Sequence, residues 1–247
     1  LVSNSMQSTN EETLEAIKRS NIKLKDYSRV QTEIHKRGLR SMADVILGLP
    51  LETKKSHFKA VTNLIDSGVQ EFTSYQAMVL KSTDLELKDV KQKYGLKTKW
   101  RMLPRSTGEY QICGNKFIVT EAEEIIVSTN TLSFKDYLDS RRLHFITMVY
   151  HNSKIFEIIT EYLKDENIKV SKFIKTIYKK SKNKDFEINH VISEFLELTE
   201  SELFETENEC LNFYNNPQSL KKVKNSEIGH NLLFTYLAVS IFKNWKK

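Results

Sequence analysis

The chain has 247 residues, 39% of them hydrophobic and 28% charged, and this is enough for one large core or two modest ones, so two unequal domains are expected. Its only cysteines, Cys113 and Cys210, stand far apart, which excludes a disulfide framework and a zinc site and fits a reducing cytoplasm. The net charge of +6 is carried mainly by lysine, and Lys175, Lys179, Lys180, Lys182 and Lys184 crowd one short stretch. No aromatic stacking platform accompanies that run, so it reads as a solvated helix face and nucleic acid is not expected as a partner. No signal peptide is visible, and the longest apolar stretch, Leu232 to Phe242, is too short and interrupted to span a bilayer. A packed terminal helix and a cytoplasmic location, with no membrane partner, are the expectation.

The chain begins at Leu1 without an initiator methionine, inside what reads as a strand continuing through Val2 to Ser3-Asn4-Ser5, and is read as a fragment. Thr9 or Asn10 can cap a helix through Leu14 and Ile17 to Arg19, Thr9 and Glu12 having capping-box spacing. A second helix has apolar positions at Tyr27, Val30 and Ile34 and a stop at Gly38. Val45, Ile46 and Leu47 then form an apolar run suited to a buried parallel strand, which Gly48 and Pro50 end. The unit repeats: Phe58, Val61, Leu64 and Ile65 make a helical face closed by Gly68, Val69 to Leu80 reads as a strand, and Asp84 to Tyr94 as an amphipathic helix closed at Gly95. Alternating strand and helix is the signature of a parallel sheet.

Beyond Gly95 the pattern changes. Lys99 to Tyr110 reads as irregular, with Pro104 and Gly108 as breakers, and Tyr110 to Val119 as a short hairpin around Gly114-Asn115. Helical stripes follow at Leu143/Ile146/Tyr150, Ile155/Ile158/Ile159/Tyr162, Phe173/Ile174/Ile177 and Val191/Ile192/Phe195/Leu196, with Asn215-Asn216-Pro217 separating the last two helices. The six histidines are scattered without ligand spacing, so none is taken as a metal ligand and no metal site is expected.

Ser5-Met-Gln-Ser8, Ala16-Ile-Lys-Arg19, Asp44-Val-Ile-Leu-Gly-Leu-Pro-Leu-Glu-Thr53, and Tyr75-Gln76 with Thr83-Asp-Leu85 together resemble the second half of a radical S-adenosylmethionine (radical SAM) barrel. Each motif alone is weak; their order and spacing are what carry the resemblance, over about residues 1 to 90. Arg101-Met-Leu-Pro-Arg-Ser-Thr-Gly108 and Ser128 to Tyr137 resemble the C-terminal extension of radical SAM proteins that also carry a cobalamin-binding domain. The fold implied is α/β: the C-terminal half of a partial (β/α) TIM-like barrel over residues 1–95, then a mostly α-helical domain over 96–247.

The resemblance implies a cofactor-binding set of Ser5, Gln7, Arg19, Asp44, Ile46, Gly48, Gln76, Ala77 and Met78. Gln7 would bond the ribose hydroxyls and Arg19 the methionine carboxylate, Asp44 would contact the ribose or amino group, and Ile46 would pack on adenine. The backbone near Ala77 and Met78 would bond the adenine edge, and Gly48 would let the backbone approach. Each has a plainer rival: Gln7 as a helix cap, Arg19 as a solvated side chain, Ile46 as core, and Gly48-Leu-Pro50 as a strand exit. An ionised Asp44 in an apolar strand is costly unless paired, which favours a real partner. Leu51 and Lys81-Ser82 depart from the family, which often has glycine and Pro-Gly there, so differently shaped loops are expected.

The implied cofactors are S-adenosylmethionine, a 4Fe-4S cluster and, through the extension, cobalamin. The cluster's CxxxCxxC loop is absent from this chain, so the chain alone is expected to be inactive and its partner to be the missing N-terminal half of the barrel. In the complete enzyme a 5′-deoxyadenosyl radical would drive a methyl transfer or rearrangement on a small-molecule or peptide substrate that the residues do not reveal. The catalytic residues are likewise not readable. Two alternatives are a non-catalytic truncated barrel serving as a protein-binding module, and a tRNA-modifying relative.

Overall fold

Strand and helix alternate at the start of the chain, giving a three-stranded parallel sheet in the order β1 (Val2–Ser3), β2 (Ser41–Leu47), β3 (Glu71–Gln76). The structure is a computed structural model that describes residues 2–3 and 5–243; the expected strand at Leu1, and Asn4, lie outside the described residues. Parallel neighbours require crossovers, supplied by α1 (Glu11–Ala16) and α2 (Leu24–Lys36) and then by α3 (Lys54–Asp66). Asn10 caps α1, accepting from the Glu12 N–H at 3.2 Å, in place of the capping box expected from Thr9. The helix stops short of Arg19 because Lys18 turns to a left-handed φ of 54° and the Arg19 N–H returns to the Leu14 carbonyl at 2.8 Å. In α2 the buried stripe is Tyr27, Gln31 and Ile34, leaving the expected Val30 exposed, whereas α3 starts from a capping box between Thr53 and Ser56 and buries Ala60, Val61, Leu64 and Ile65.

The period of two along β2 sorts its side chains between two environments. Ala43 and Val45 enter the main core beneath the helices, while Met42, Asp44 and Ile46 lie on the other face, in register with Glu71, Thr73 and Tyr75 of β3. That second face is thinly covered: Tyr75 is 50% exposed.

Strand β3 ends at Gln76, short of the expected Leu80, and residues 77–79 instead join a long hairpin of β4 (Lys97–Ile112) and β5 (Asn115–Ser128) through Val79 N–H to Glu124 O and Ile126 N–H to Ala77 O, both 2.8 Å. The turn falls at Cys113-Gly114, one residue before the expected Gly114-Asn115, and the irregular segment and short hairpin read from the sequence are one continuous ribbon. Pro104 is tolerated because the register shifts between Met102 and Thr107, forming an irregularity in which no proline N–H is required. The helix expected over Asp84 to Tyr94 is divided by extended Leu87 into a 3-10 turn, Asp84–Glu86, and α4 (Lys88–Tyr94), closed by left-handed Gly95.

Helices follow: α5 (Phe134–Thr147) continued by a π-helical turn (Met148–Asn152), α6 (Glu157–Asp165), α7 (Val170–Lys180), α8 (Asn189–Ser201), α9 (Glu207–Tyr214), α10 (Pro217–Lys224) and α11 (Leu232–Phe242). Asn215-Asn216-Pro217 separates α9 from α10 rather than the last two helices, with Asn216 capping and Pro217 in the first turn. The main core runs through both regions, joining Val45, Val61, Leu64 and Phe72 to Leu143, Ile146, Ile174, Ile192 and Phe195. The architecture is therefore mixed α/β, a small open parallel sheet with many helices. Among the described residues no helix is long and apolar enough to cross a membrane.

Candidate functional site

Ligands in α/β folds gather at the carboxyl ends of parallel strands, and here the polar residues at the ends of β1 and β2 are bonded to one another. Gln7 joins β2 through its backbone, its N–H donating to Asp44 O and its C=O accepting from Ile46 N–H, both at 2.9 Å. It does so one residue out of step with the pairing of Ser3 to Met42, and takes a left-handed φ of 55° that is uncommon outside glycine. The helix-cap reading of Gln7 does not hold, since Asn10 is the cap. The Ser5 hydroxyl donates to Asp44 Oδ2, and Arg19 Nη2 donates to the Ser5 carbonyl at 3.0 Å. Asn21 ties the same turn to Met6 O at 2.6 Å and Ser8 O at 2.8 Å.

Asp44 Oδ1 is buried and has no hydrogen-bond partner. A carboxylate oxygen withdrawn from water without a donor is costly, so this is an acceptor without its complement. Burial, reinforced by the Asp44 charge, pushes the Tyr27 hydroxyl up to about 12. Ser5, Gln7, Arg19 and Asp44 thus converge.

The other expected ligands are placed differently. Ile46 shares a face with Asp44 and packs partly against Leu49, Ala77, Val79 and Ile126. Gly48 makes its close approach within the protein: at φ 91°, a Cβ there would lie 2.9 Å from the Ile126 carbonyl, so the glycine admits the hairpin. The Ala77 N–H donates to Leu47 O and its C=O accepts from Ile126, leaving neither for an adenine edge. Met78 pairs with Ile125 between those sheet bonds and is 37% exposed. Gln76 is buried and donates to the Tyr137 hydroxyl at 3.2 Å. Leu51 and Ser82, where differently shaped loops were expected, have φ of 61° and 65°, the conformation glycine favours, so these loops keep such a turn without the glycine.

No protein-family model matches the chain. Over 164 residues, 66% of its length, it is 27% identical to the cobalamin-dependent radical SAM methyltransferase TokK of Streptomyces tokunonensis. The chain is distantly similar to cobalamin-dependent radical SAM methyltransferases. Over the same extent it is 26% identical to a 2-(S-pantetheinyl)-carbapenam-3-carboxylate methyltransferase of Streptantibioticus cattleyicolor. It spans 23% of the length of each of these methyltransferases.

Sequence reasoning missed a buried polar chain behind these strand ends. Ser8 Oγ donates to Glu52 Oε1 at 3.1 Å, His57 Nδ1 meets Glu52 Oε2 at 3.2 Å, and His57 Nε2 lies 2.7 Å from His144 Nε2. All four residues are buried. Two facing ring nitrogens need one proton between them; with Glu52 accepting from His57 Nδ1–H, His57 Nε2 accepts from His144 Nε2–H. His144 Nδ1 then carries the lone pair, in keeping with its lack of a partner. Burial, aided by the Arg141 charge, holds the His144 pKa well below that of an ordinary imidazole. The only sequence signal was Glu52 and His57 on the two sides of the α3 cap. Among the described residues no group of three His, Cys, Asp or Glu could hold a metal ion; Cys113 is exposed at the hairpin turn and Cys210 is buried in α9.

Proposed function

We propose that this chain supplies the C-terminal half of the S-adenosylmethionine-binding barrel, with its helical extension, to a cobalamin-dependent radical SAM methyltransferase. The observation that carries this reading is Asp44 Oδ1, a buried acceptor without a donor, on the thinly covered face of the sheet where β1 and β2 end. The similarity to two methyltransferases supports it independently. S-adenosylmethionine, when bound, supplies the radical and methyl-donor chemistry.

The residues of this chain bind and orient. Asp44 Oδ1 accepts from a ribose hydroxyl, and Ser5, by holding Oδ2, fixes the carboxylate plane. Gln7, set by its left-handed backbone at the strand end, presents an amide that can donate and accept. Arg19, anchored to the Ser5 carbonyl, keeps guanidinium donors for the methionine carboxylate. Ile46 and Tyr75 give the adenine an apolar surface; Met78 remains for its edge, whereas the backbone of Ala77 is engaged in the sheet. The two cysteines do not fit a 4Fe-4S cluster, which requires thiolates these residues do not bring together, and no residue here is given to cobalamin.

S-adenosylhomocysteine, which has the same ribose, adenine and carboxylate, tests the assignment by calorimetric titration of the chain. Asp44→Ala and Gln7→Leu each remove a bond to the ligand, so each weakens binding by about 1–3 kcal/mol, roughly five- to a hundred-fold. Equal affinity of both variants and the parent, with circular dichroism unchanged, refutes the assignment.

A further inference from the structure

A groove of about 440 Å³ lies over the Met42 and Tyr75 face of β2 and β3, between the hairpin and the start of α11; it adjoins the surface proposed for adenine at Tyr75 and Met78, but Ser5, Gln7 and Asp44 do not line it. One wall is charged in an unusual way. Arg101 is held at Nε by Glu123 at 2.5 Å and at Nη1 by Glu202 at 3.3 Å, and Glu71 is paired with Arg40. Arg141, on α5 in the same wall, is only 3% exposed and has no hydrogen bond or ion pair among the described residues; its Nε is buried without an acceptor. The Phe195 ring, 5.4 Å from the guanidinium carbon, covers one side of it. His230 Nε2, also in the groove wall, is likewise buried without a partner.

A guanidinium removed from water with no anion in contact is among the costliest side chains to bury; the Glu202 charge acts on Arg141 through space, but its carboxylate is bonded to Arg101, and the stacking on Phe195 satisfies none of the Arg141 N–H groups. The N-terminus of the eleven-residue α11, capped by Asn231, opens onto the same space and adds a positive dipole end. We propose that the groove binds the carboxylate of a small organic acid, with Arg141 as the ligand's anion partner and Met148, Leu233 and Leu237 against its apolar body. A planar monoanion matches the fork of the guanidinium. Phosphate fits less well, because Glu123 and Glu202 line the same groove and repel a dianion more strongly. The inference goes beyond the S-adenosylmethionine reading, whose adenine surface the groove adjoins at Tyr75 and Met78, and is carried by Arg141 rather than by that reading.

Hexanoate is the probe, titrated into the chain and followed by amide chemical shifts. Binding is expected to move the signals of Ser74, Gln76 and Leu233, with hexan-1-ol and inorganic phosphate each at least about tenfold weaker, the loss of one charge-assisted contact. Arg141→Met abolishes the preference for hexanoate over hexan-1-ol and leaves the melting temperature equal or higher, since a structural arginine would lower it when lost. Arg141→Lys keeps the charge without the fork and binds severalfold more weakly than the parent, which maintains the test if the methionine variant fails to fold. Hexan-1-ol or phosphate binding as tightly as hexanoate, or hexanoate binding Arg141→Lys as tightly as the parent, overturns the proposal.

Discussion

Replacing Gly48 by alanine separates two reasons for a glycine at the end of β2. If it is there for a ligand, the variant is stable and binds poorly; if it is there for the hairpin, the folded chain itself suffers. The structure gives the second answer. An alanine at φ 91° takes a conformation L-residues avoid, which costs roughly 1–2 kcal/mol. Its Cβ would also stand 2.9 Å from the Ile126 carbonyl, so β5 must give way, loosening the bond from Ile126 N–H to Ala77 O, now 2.8 Å. Weakening one or two such sheet bonds adds about 1–2 kcal/mol, for a total of about 2–4 kcal/mol. In a chain of this length that lowers the melting temperature by roughly 4–16 °C. Gly38→Ala is the control: its φ is 67°, but nothing lies within 4 Å of the new Cβ, so only the backbone part applies. Urea unfolding of both variants without ligand gives the comparison, and a Gly48→Ala loss no larger than that of Gly38→Ala refutes the steric argument.

The buried histidines make stability fall as the solution becomes acidic. Burial, aided by the Lys154 charge, lowers the His151 pKa to about 4, so between about 6.5 and 4 the unfolded chain holds a proton that the folded chain does not. The stabilisation is complete above the unfolded value and is lost as the pH drops through that window, about 2 kcal/mol between roughly pH 7.5 and pH 5, with His144 acting in the same direction. His151→Gln, which can still donate to the Val69 carbonyl that His151 Nε2 now meets at 2.9 Å, should flatten the dependence measured by urea unfolding; an unchanged slope counts against it. At the loop after β3, Ser82→Gly relieves a φ of 65° on an exposed residue and stabilises by about 1 kcal/mol in thermal melts, whereas a loss would show that the turn is unstrained.

What could be read from the sequence was local. The segment from Asp44 through Gly48 to the α3 face carries its own signals: an apolar run, a breaker and a helical stripe. It folds accordingly. The hairpin was under-read because a strand of its length containing Pro104 makes sense only once the partner and the register shift are known. Ser5, Gln7, Arg19 and Asp44 were singled out through motif order, and the structure brings them together. The histidine pair was not, because His57 and His144 are 87 positions apart and meet only through helix packing. Gly48 shows the opposite failure: the need for glycine was legible, but the group that crowds it comes from a strand the pattern had not revealed.

The buried chain from Ser8 through Glu52 and His57 to His144 has a mechanical consequence. Its links belong to the turn after β1, the turn after β2, the start of α3 and the last turn of α5, and each is a hydrogen bond out of reach of water. Displacing α5 separates His57 from His144 and strands their facing buried nitrogens, at about 1–3 kcal/mol. The two strand-end turns that carry Gln7 and Gly48 are therefore latched to the helical region, so a load on α5, the helix that also bears Arg141, is felt at the tips of β1 and β2.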